Sequence, residues 1–126
     1  MINIRIGYSE DGKRMILSMD GHAGYAEPGK DIVCAGATML AYALGQTLKD
    51  FYESGFLRHE PRLRYSEGAI SIEAAPKKDC FGAVHIAFWC TLSGCRLLEH
   101  RYPEYVRLDQ PGVESPTNGQ EGTNHE

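Results

Sequence analysis

The sequence predicts an α/β fold of the α+β type: a two-layer sandwich in which a mostly antiparallel sheet carries two helices on one face. Short segments with alternating apolar and polar residues are typical of half-buried strands, and two longer segments repeat apolar residues every three or four positions, as helices do. Along the chain these segments follow the order hairpin, helix, hairpin, helix, strand.

The first hairpin begins the chain, where Ile2, Ile4 and Ile6 alternate with less apolar residues. A second strand is predicted over residues 14–20, because Met15, Leu17 and Met19 alternate with the residues between them. The Asp11-Gly12 step suggests the hairpin turn that joins the two strands.

The first helix is predicted over residues 31–54, with Asp31 as its N-cap and Gly55 as its stop. Gly36 and Gly45 lower helix propensity, so we expect another backbone or helix to approach closely there. A helix-on-helix contact, for example between subunits, would explain both glycines. The apolar stripe of this helix consists of Val33, Ala37, Leu40, Leu44, Leu48 and Phe51.

A second hairpin follows in residues 62–65 and 69–74, around the turn formers Ser66-Glu67-Gly68. Asp79 is predicted to cap a second helix that ends near His100, and residues 105–108 add a last strand. The stripe of the second helix consists of Phe81, Val84, Phe88, Leu92, Cys95 and Leu98.

The chain of 126 residues suits one domain, predicted over residues 1–108, followed by a disordered acidic tail over residues 109–126. Four of the 17 acidic residues fall in that tail, which leaves 13 acidic and 13 basic side chains in the body. Direct nucleic-acid binding is not expected, because a body of near-neutral charge lacks the positive surface that binding to a phosphate backbone needs.

Four cysteines occur in a chain with no basic segment followed by an apolar run, and we expect no apolar stretch of transmembrane length. The predicted location is the cytoplasm, with free thiols and no membrane partner.

The stretch from Gly21 to Cys34 holds the candidate chemistry. Cys34 falls in the first turn of the predicted helix, where unpaired N–H groups and the helix dipole favour a thiolate, and His22 lies across a loop rich in Gly and Pro. A cysteine hydrolase needs a thiolate, an imidazole and oxyanion donors, and the backbone N–H groups around Cys34 could be those donors. Asp31 is expected to be a cap more than a third catalytic residue, and Asp20 could share the face of His22. The alternative for Cys34 is a small buried hydrophobe.

No metal site is expected among Cys80, His85, Cys90, Cys95 and His100, because a five-residue step turns a helix by about 140 degrees. Core packing is the better explanation for Cys90 and Cys95. Most aromatic residues are explained as core or as a helix-mediated interface, and some could line a groove for apolar substrate side chains; they are Phe81, Phe88, Trp89, Tyr42, Phe51 and Tyr52.

Two motifs carry a resemblance to a known family: Gly21-His22-Ala23-Gly24-Tyr25-Ala26, and Gly29-Lys30-Asp31-Ile32-Val33-Cys34-Ala35. Their composition and spacing resemble the signature of the ribosomal-processing cysteine protease Prp family, over residues 1 to about 108. The resemblance implies a cytoplasmic, homodimeric bacterial endopeptidase without a cofactor. Its expected substrate is the precursor of the large-subunit ribosomal protein L-twenty-seven, from which it would remove the N-terminal extension. The resemblance implies that the cleaved bond follows a pair of aromatic residues in that extension.

The same resemblance implies roles for individual residues. Cys34 would be the nucleophile and His22 the general base and proton donor, while Gly21 and Asp31 would shape the site. The loop from Ala23 to Lys30 would be a mobile flap over the peptide. Thr38 stands where the family commonly has Ser, and the hydroxyl is kept.

Two other functions remain open from the sequence. One is a non-enzymatic, ribosome-associated dimeric binding protein in which Cys34 only sits at a helix start. The other is a thiol redox sensor that uses Cys34.

Overall fold

The computed structural model describes residues 1–27 and 29–109. They form five strands and two helices in the order that the sequence predicts. The elements are β1 (Ile2–Tyr8), β2 (Met15–Asp20), α1 (Ile32–Glu53), β3 (Arg62–Ser66), β4 (Ala69–Ala74), α2 (Phe81–Arg101) and β5 (Val106–Leu108).

The strands form one mixed sheet in the order β3-β4-β2-β1-β5. Three of the four pairings are antiparallel, and β5 runs parallel to β1, with Ile2 opposite Val106. The prediction of a mostly antiparallel sheet with two helices is therefore confirmed. The two hairpins join through β2 and β4, so that Asp20, at the end of β2, pairs with Ala69 at the start of β4.

The core lies between the sheet and the helices. Ile6, Leu17 and Ile72 occupy one row across three neighbouring strands and are fully buried. Leu44 of α1 and Phe88 of α2 are buried in the same core cluster. Burying each such side chain contributes about 1.5–3 kcal/mol, so the alternating strand pattern fixes which face of the sheet the helices cover.

The predicted N-cap of α1 is confirmed. Asp31 has an extended backbone (φ −85°, ψ 102°), and its carboxylate accepts the N–H groups of Val33 and Cys34. The helix consequently begins at Ile32, and Cys34 is its third residue.

The predicted N-cap of α2 is wrong. Asp79 lies inside a short 3-10 helix, Lys78–Cys80, and α2 begins only at Phe81, with no side-chain cap bond. The N–H of Cys80 donates to the carbonyl oxygen of Lys77, so a tight turn takes up the position that a capped helix start would need.

The two glycines of α1 have different neighbours. A Cβ on Gly36 would lie 3.4 Å from the Leu98 side chain of α2, which is a helix-on-helix contact within the chain. A Cβ on Gly45 would lie 1.9 Å from Oη of Tyr65 on β3, so a side chain of the sheet, not a second helix, requires that glycine.

One expectation about membranes needs correction. The segment Lys78–Arg101 is long and apolar enough to cross a membrane by length and composition. Its Val84, Phe88 and Leu92 are buried against the sheet, and core helices commonly pass the same test.

The predicted tail begins inside the described structure. Asp109 donates its N–H to the carbonyl oxygen of Ile4 and forms an ion pair with Arg5 at 3.1 Å, so it continues the alignment of β5 with β1. The rest of the predicted tail, residues 110–126, lies outside the described residues.

Candidate active site

The sulfur of Cys34 lies at the start of α1 and is partly buried. The backbone N–H of Ala23 donates to Cys34 Sγ at 3.3 Å. The sulfur thus has a hydrogen-bond donor beside it and lies at the positive end of the helix dipole. The sequence placed Cys34 at the helix start, and the structure adds the loop amide that reaches it.

His22 is exposed, and its ring lies over the β3–β4 turn. A Cβ on Gly68 would lie 3.0 Å from His22 Nε2, and the N–H of Gly21 donates to the Gly68 carbonyl oxygen at 2.9 Å. Within the described residues, no hydrogen bond joins the ring to Cys34. The structure thus brings the two candidates together through the adjacent residue, Ala23, and leaves the imidazole facing the turn.

Gly21 sits where the chain leaves β2 with φ of +94°. A Cβ at this position would lie 2.3 Å from the carbonyl oxygen of Met1. The backbone nitrogen of Met1 donates to the carbonyl oxygens of His22 and, at 3.5 Å, of Ala23. The start of β1 and the glycine therefore hold the backbone on which the candidate imidazole stands.

Asp31 divides its carboxylate between the helix and the loop. Oδ1 accepts the N–H groups of Val33 and Cys34 at 3.0 Å, and Oδ2 accepts those of Tyr25 at 3.0 Å and Ala26 at 3.4 Å. Desolvation is the largest influence and acts to raise the pKa of Asp31, but the backbone hydrogen bonds together hold that pKa below its usual value. The carboxylate is a cap that also holds the loop.

The loop that follows His22 is also held from the other side. The ring of Tyr25 lies edge-on to Tyr102 and Tyr105, with centroids 5.6 and 5.2 Å apart. Lys30 donates its N–H to the carbonyl oxygen of Glu27. In this state the loop is joined to Asp31 and to the segment between α2 and β5.

The two remaining residues named from the sequence are Thr38 and Asp20. Thr38 is partly buried one turn after Cys34, on the same face of α1. Asp20 is exposed at the end of β2, opposite Asn3 and Ala69.

The backbone donors expected for an oxyanion are already occupied in this state. The N–H groups of Val33 and Cys34 point to the Asp31 carboxylate, and that of Ala35 donates to the Asp31 carbonyl oxygen at 3.0 Å. The backbone N–H groups that the sequence predicted as oxyanion donors therefore donate to Asp31, the N-cap of the helix.

Comparison with known proteins places the chain in a family. The model of the family described as Cysteine protease Prp matches residues 1–107. The chain belongs to this family. Prp family members are cysteine proteases, so the chain is a hydrolase, and the predicted recognition and enzyme class are confirmed. The non-enzymatic alternative is accordingly set aside.

Relatives of the Prp family support the same conclusion. The chain is 26% identical to the ribosomal processing cysteine protease Prp of Staphylococcus aureus strain Mu50, over 86% of this chain and 98% of the relative. It resembles the crystal structure of the S. aureus Prp with a covalently linked product peptide at a TM-score of 0.65 and 26% identity, and the structure with a substrate peptide at 0.60 and 25%. Both superpositions cover 86% of this chain and 98% of the other.

A Prp cysteine protease needs one reactive thiol, and this chain has four free cysteines. Cys95 is buried, and desolvation raises the pKa of its thiol to about 12, which disfavours a thiolate at neutral pH. The prediction that Cys90 packs in the core is wrong, because Cys90 is exposed in the middle of α2. Cys80 is partly buried in the short turn before α2. No group of three or more His, Cys, Asp or Glu within the described ranges could hold a metal ion.

Sequence reasoning missed two parts of the site. Gly68 and the N–H of Ala23 were not candidates, although each lies against a predicted residue. The turn at Ser66-Glu67-Gly68 was visible, but its place beside His22 follows from the pairing of β2 with β4.

Proposed function

We propose that this Prp family member is an endopeptidase in which Cys34 is the nucleophile and His22 the general base and proton donor. The observation that carries the proposal is the hydrogen bond from the Ala23 N–H to Cys34 Sγ. It places the residue that follows His22 against the sulfur, and consecutive Cα atoms are only about 3.8 Å apart.

In the first half of the reaction, His22 takes the proton of the Cys34 thiol, and the resulting thiolate attacks the scissile carbonyl carbon and forms a C–S bond. The tetrahedral intermediate collapses when His22 gives a proton to the leaving amine, which breaks the C–N bond and leaves a thioester. The ring of His22 is exposed over Gly68, and the proposed mechanism requires a side-chain rotation that brings it to the sulfur. Catalytic hydrogen bonds often form fully only in the substrate complex.

In the second half, water replaces the sulfur. His22 takes a proton from the water, the oxygen attacks the thioester carbonyl, and the Cys34 thiolate leaves. Gly21 and Asp31 position these groups: Gly21 admits Met1 beside the His22 backbone, and Asp31 orients the helix start. Thr38 has a supporting role in the proposal, since its side chain lies one helical turn after Cys34 on the same face of α1.

The proposed substrate is the precursor of the large-subunit ribosomal protein L-twenty-seven, from which the enzyme removes the N-terminal extension in the cytoplasm. The S. aureus relative is named for ribosomal processing, and its structures hold a substrate peptide and a covalently linked product peptide. A covalent product is what a thioester mechanism leaves on the enzyme.

The proposed assembly is a homodimer. The outer faces of α1 and α2 expose large apolar side chains: Ile32, Met39, Ile86 and Leu97, each more than half exposed. Exposed apolar residues concentrated on one layer are typical of a protein–protein contact.

The test is cleavage of the extension-bearing precursor by the purified protein, with products identified by mass spectrometry. Cys34→Ala and Cys34→Ser are expected to abolish cleavage, because neither side chain supplies a thiolate. His22→Ala is expected to lower the rate by about 10²–10⁴-fold, the usual contribution of a positioned acid–base group.

Cys90→Ala and His59→Ala are the matched controls, because both residues are exposed and lie outside the candidate site. They are expected to retain the wild-type rate. Cleavage that survives Cys34→Ala would overturn the nucleophile assignment, and full activity of His22→Ala would overturn the role of the imidazole.

A further inference from the structure

The imidazole of His22 lies against a glycine of the turn between β3 and β4. A Cβ built on Gly68 would lie 3.0 Å from His22 Nε2, 3.5 Å from Cε1 and 3.6 Å from Cδ2. These atoms are the ring nitrogen farther from the backbone and the two carbons bonded to it. The outer corner of the ring, which carries Nε2, therefore points into the turn.

The backbone of His22 is fixed, whereas its ring is not. The carbonyl oxygen of His22 accepts a hydrogen bond from the backbone nitrogen of Met1. The ring is exposed, and within residues 1–27 and 29–109 neither of its nitrogens takes part in a hydrogen bond or an ion pair. The place of the ring therefore depends on its contact with the turn.

The turn itself is held in place by backbone pairing. The N–H of Gly21 donates to the carbonyl oxygen of Gly68 at 2.9 Å. The next residue, Ala69, begins β4 and pairs with Ser66 on one side and Asp20 on the other. A side chain added at Gly68 would therefore displace the exposed imidazole more easily than the backbone of the turn.

The contact with the turn keeps the ring from the sulfur. In the described part of the chain, Cys34 Sγ accepts the N–H of Ala23, and no hydrogen bond joins it to the ring. An imidazole activates a thiol only when it lies within hydrogen-bond reach of the sulfur. With Nε2 turned toward Gly68, the ring does not meet this condition.

We propose that Gly68 is a positioning residue for His22. Because Gly68 has no side chain, the β3–β4 turn offers a seat for the imidazole, and this seat holds the ring away from Cys34 Sγ. The inference rests on the proposed function, in which the ring must leave the turn to exchange protons with Cys34. Filling the seat should therefore bring the ring to the sulfur more often.

The experiment fills the seat with Gly68→Ala and uses Gly12→Ala as the matched control. The two glycines have φ of +74° and +72°, but nothing lies within 4 Å of a Cβ on Gly12. The rate at which iodoacetamide alkylates Cys34 is measured without substrate at neutral pH, by mass spectrometry of the peptide that contains Cys34. Gly68→Ala is expected to raise this rate by about two- to tenfold, the population change that the cost of an off-rotamer side chain gives.

Two references separate positioning from general loosening of the fold. Cys90 is exposed on α2 and reports on the same sample, so its alkylation rate should not change. In a His22→Ala background, adding Gly68→Ala should change the Cys34 rate by less than about twofold, because the ring that moves is absent. Gly12→Ala should react at the wild-type rate.

Two further measurements test the seat directly. In the wild-type protein, a nuclear Overhauser effect is expected between the ring protons of His22 and the Hα protons of Gly68, and this needs no variant that must fold. In precursor cleavage, Gly68→Ala should raise kcat/KM by about the same factor as alkylation and leave kcat within about twofold, because a larger fraction of the protein starts with a competent ring.

Several outcomes would overturn the proposal. They are absence of the Overhauser effect, a Cys34 alkylation rate in folded Gly68→Ala equal to that of Gly12→Ala, and a gain that persists without His22. A kcat/KM below that of Gly12→Ala would also do so, since the turn would then hold the ring in its working position. Absence of precursor cleavage by wild type, or cleavage by Cys34→Ala, would instead overturn the proposed function, because the alkylation and resonance measurements use no substrate.

Discussion

The contact between Gly21 and Met1 gives a quantitative test of how the His22 backbone is held. Gly21→Ala adds a Cβ at a residue whose φ is +94°, and that atom would lie 2.3 Å from the Met1 carbonyl oxygen. Gly12→Ala is the matched control: its φ is +72°, and nothing lies within 4 Å of the added Cβ. The pair separates the backbone strain, which both variants share, from the collision, which only one has.

The two variants are expected to differ in the free energy of unfolding. A left-handed backbone disfavours an L side chain by about 1–2 kcal/mol, so Gly12→Ala should lose about that much. Gly21→Ala adds the displacement of a backbone carbonyl, comparable to overpacking at about 1–3 kcal/mol, for a total of roughly 2–5 kcal/mol. A domain of ordinary stability, about 5–15 kcal/mol, would still fold under native conditions.

The measurement is urea denaturation followed by circular dichroism, with the slope of the transition checked for constancy. Precursor cleavage is measured on the same samples at a temperature where both variants are folded. Gly21→Ala should lose more activity than Gly12→Ala, because the collision displaces the backbone of His22. Equal destabilisation of the two variants would refute the reasoning, since the Met1 carbonyl would then move aside without penalty.

Two further predictions concern the cap and the dimer. Hydrogen bonds hold the Asp31 pKa below 3.8, so the charged form stabilises the fold above that pH, and the contribution is lost as pH falls through the lower folded value. Asp31→Asn should therefore be less stable than wild type at neutral pH, and the difference in unfolding free energy should shrink below about pH 4; a constant difference down to pH 2 would contradict this. Leu97→Glu places a charge on the apolar outer face of α2 and should convert a dimer to a monomer in sedimentation velocity, whereas Arg101→Glu, on the exposed end of the same helix, should not; a dimer that survives Leu97→Glu would place the contact elsewhere.

Local patterns predicted the elements well because each has a local physical cause. Alternation at Ile2, Ile4 and Ile6 reports a strand with one buried face, and the structure buries all three. Asp31 caps α1 because its carboxylate reaches N–H groups two and three residues ahead. Asp79 has the same chemistry but fails as a cap, because the 3-10 turn around it sets a different helix start.

Contacts between residues that are far apart in the chain could not be predicted from the sequence. Gly68 lies beside His22 only because β2 pairs with β4, two strands separated by about fifty residues of chain. Likewise, the fit of Gly45 against Tyr65 depends on how α1 crosses the sheet, which helical periodicity does not encode. The parallel pairing of β5 with β1 brings the two ends of the described domain together in the same way.

The two oxygens of Asp31 have separate partners, and this permits the loop to move independently of the helix. A peptide that displaces Tyr25 and Ala26 breaks hydrogen bonds to Oδ2 alone, while Oδ1 keeps its hold on Val33 and Cys34. The first helical turn can therefore keep its cap while Tyr25 and Ala26 change hydrogen-bond partners. The released Oδ2 would then be open to solvent or to an N–H group of the arriving peptide, and Asp31 would still cap α1 through Oδ1.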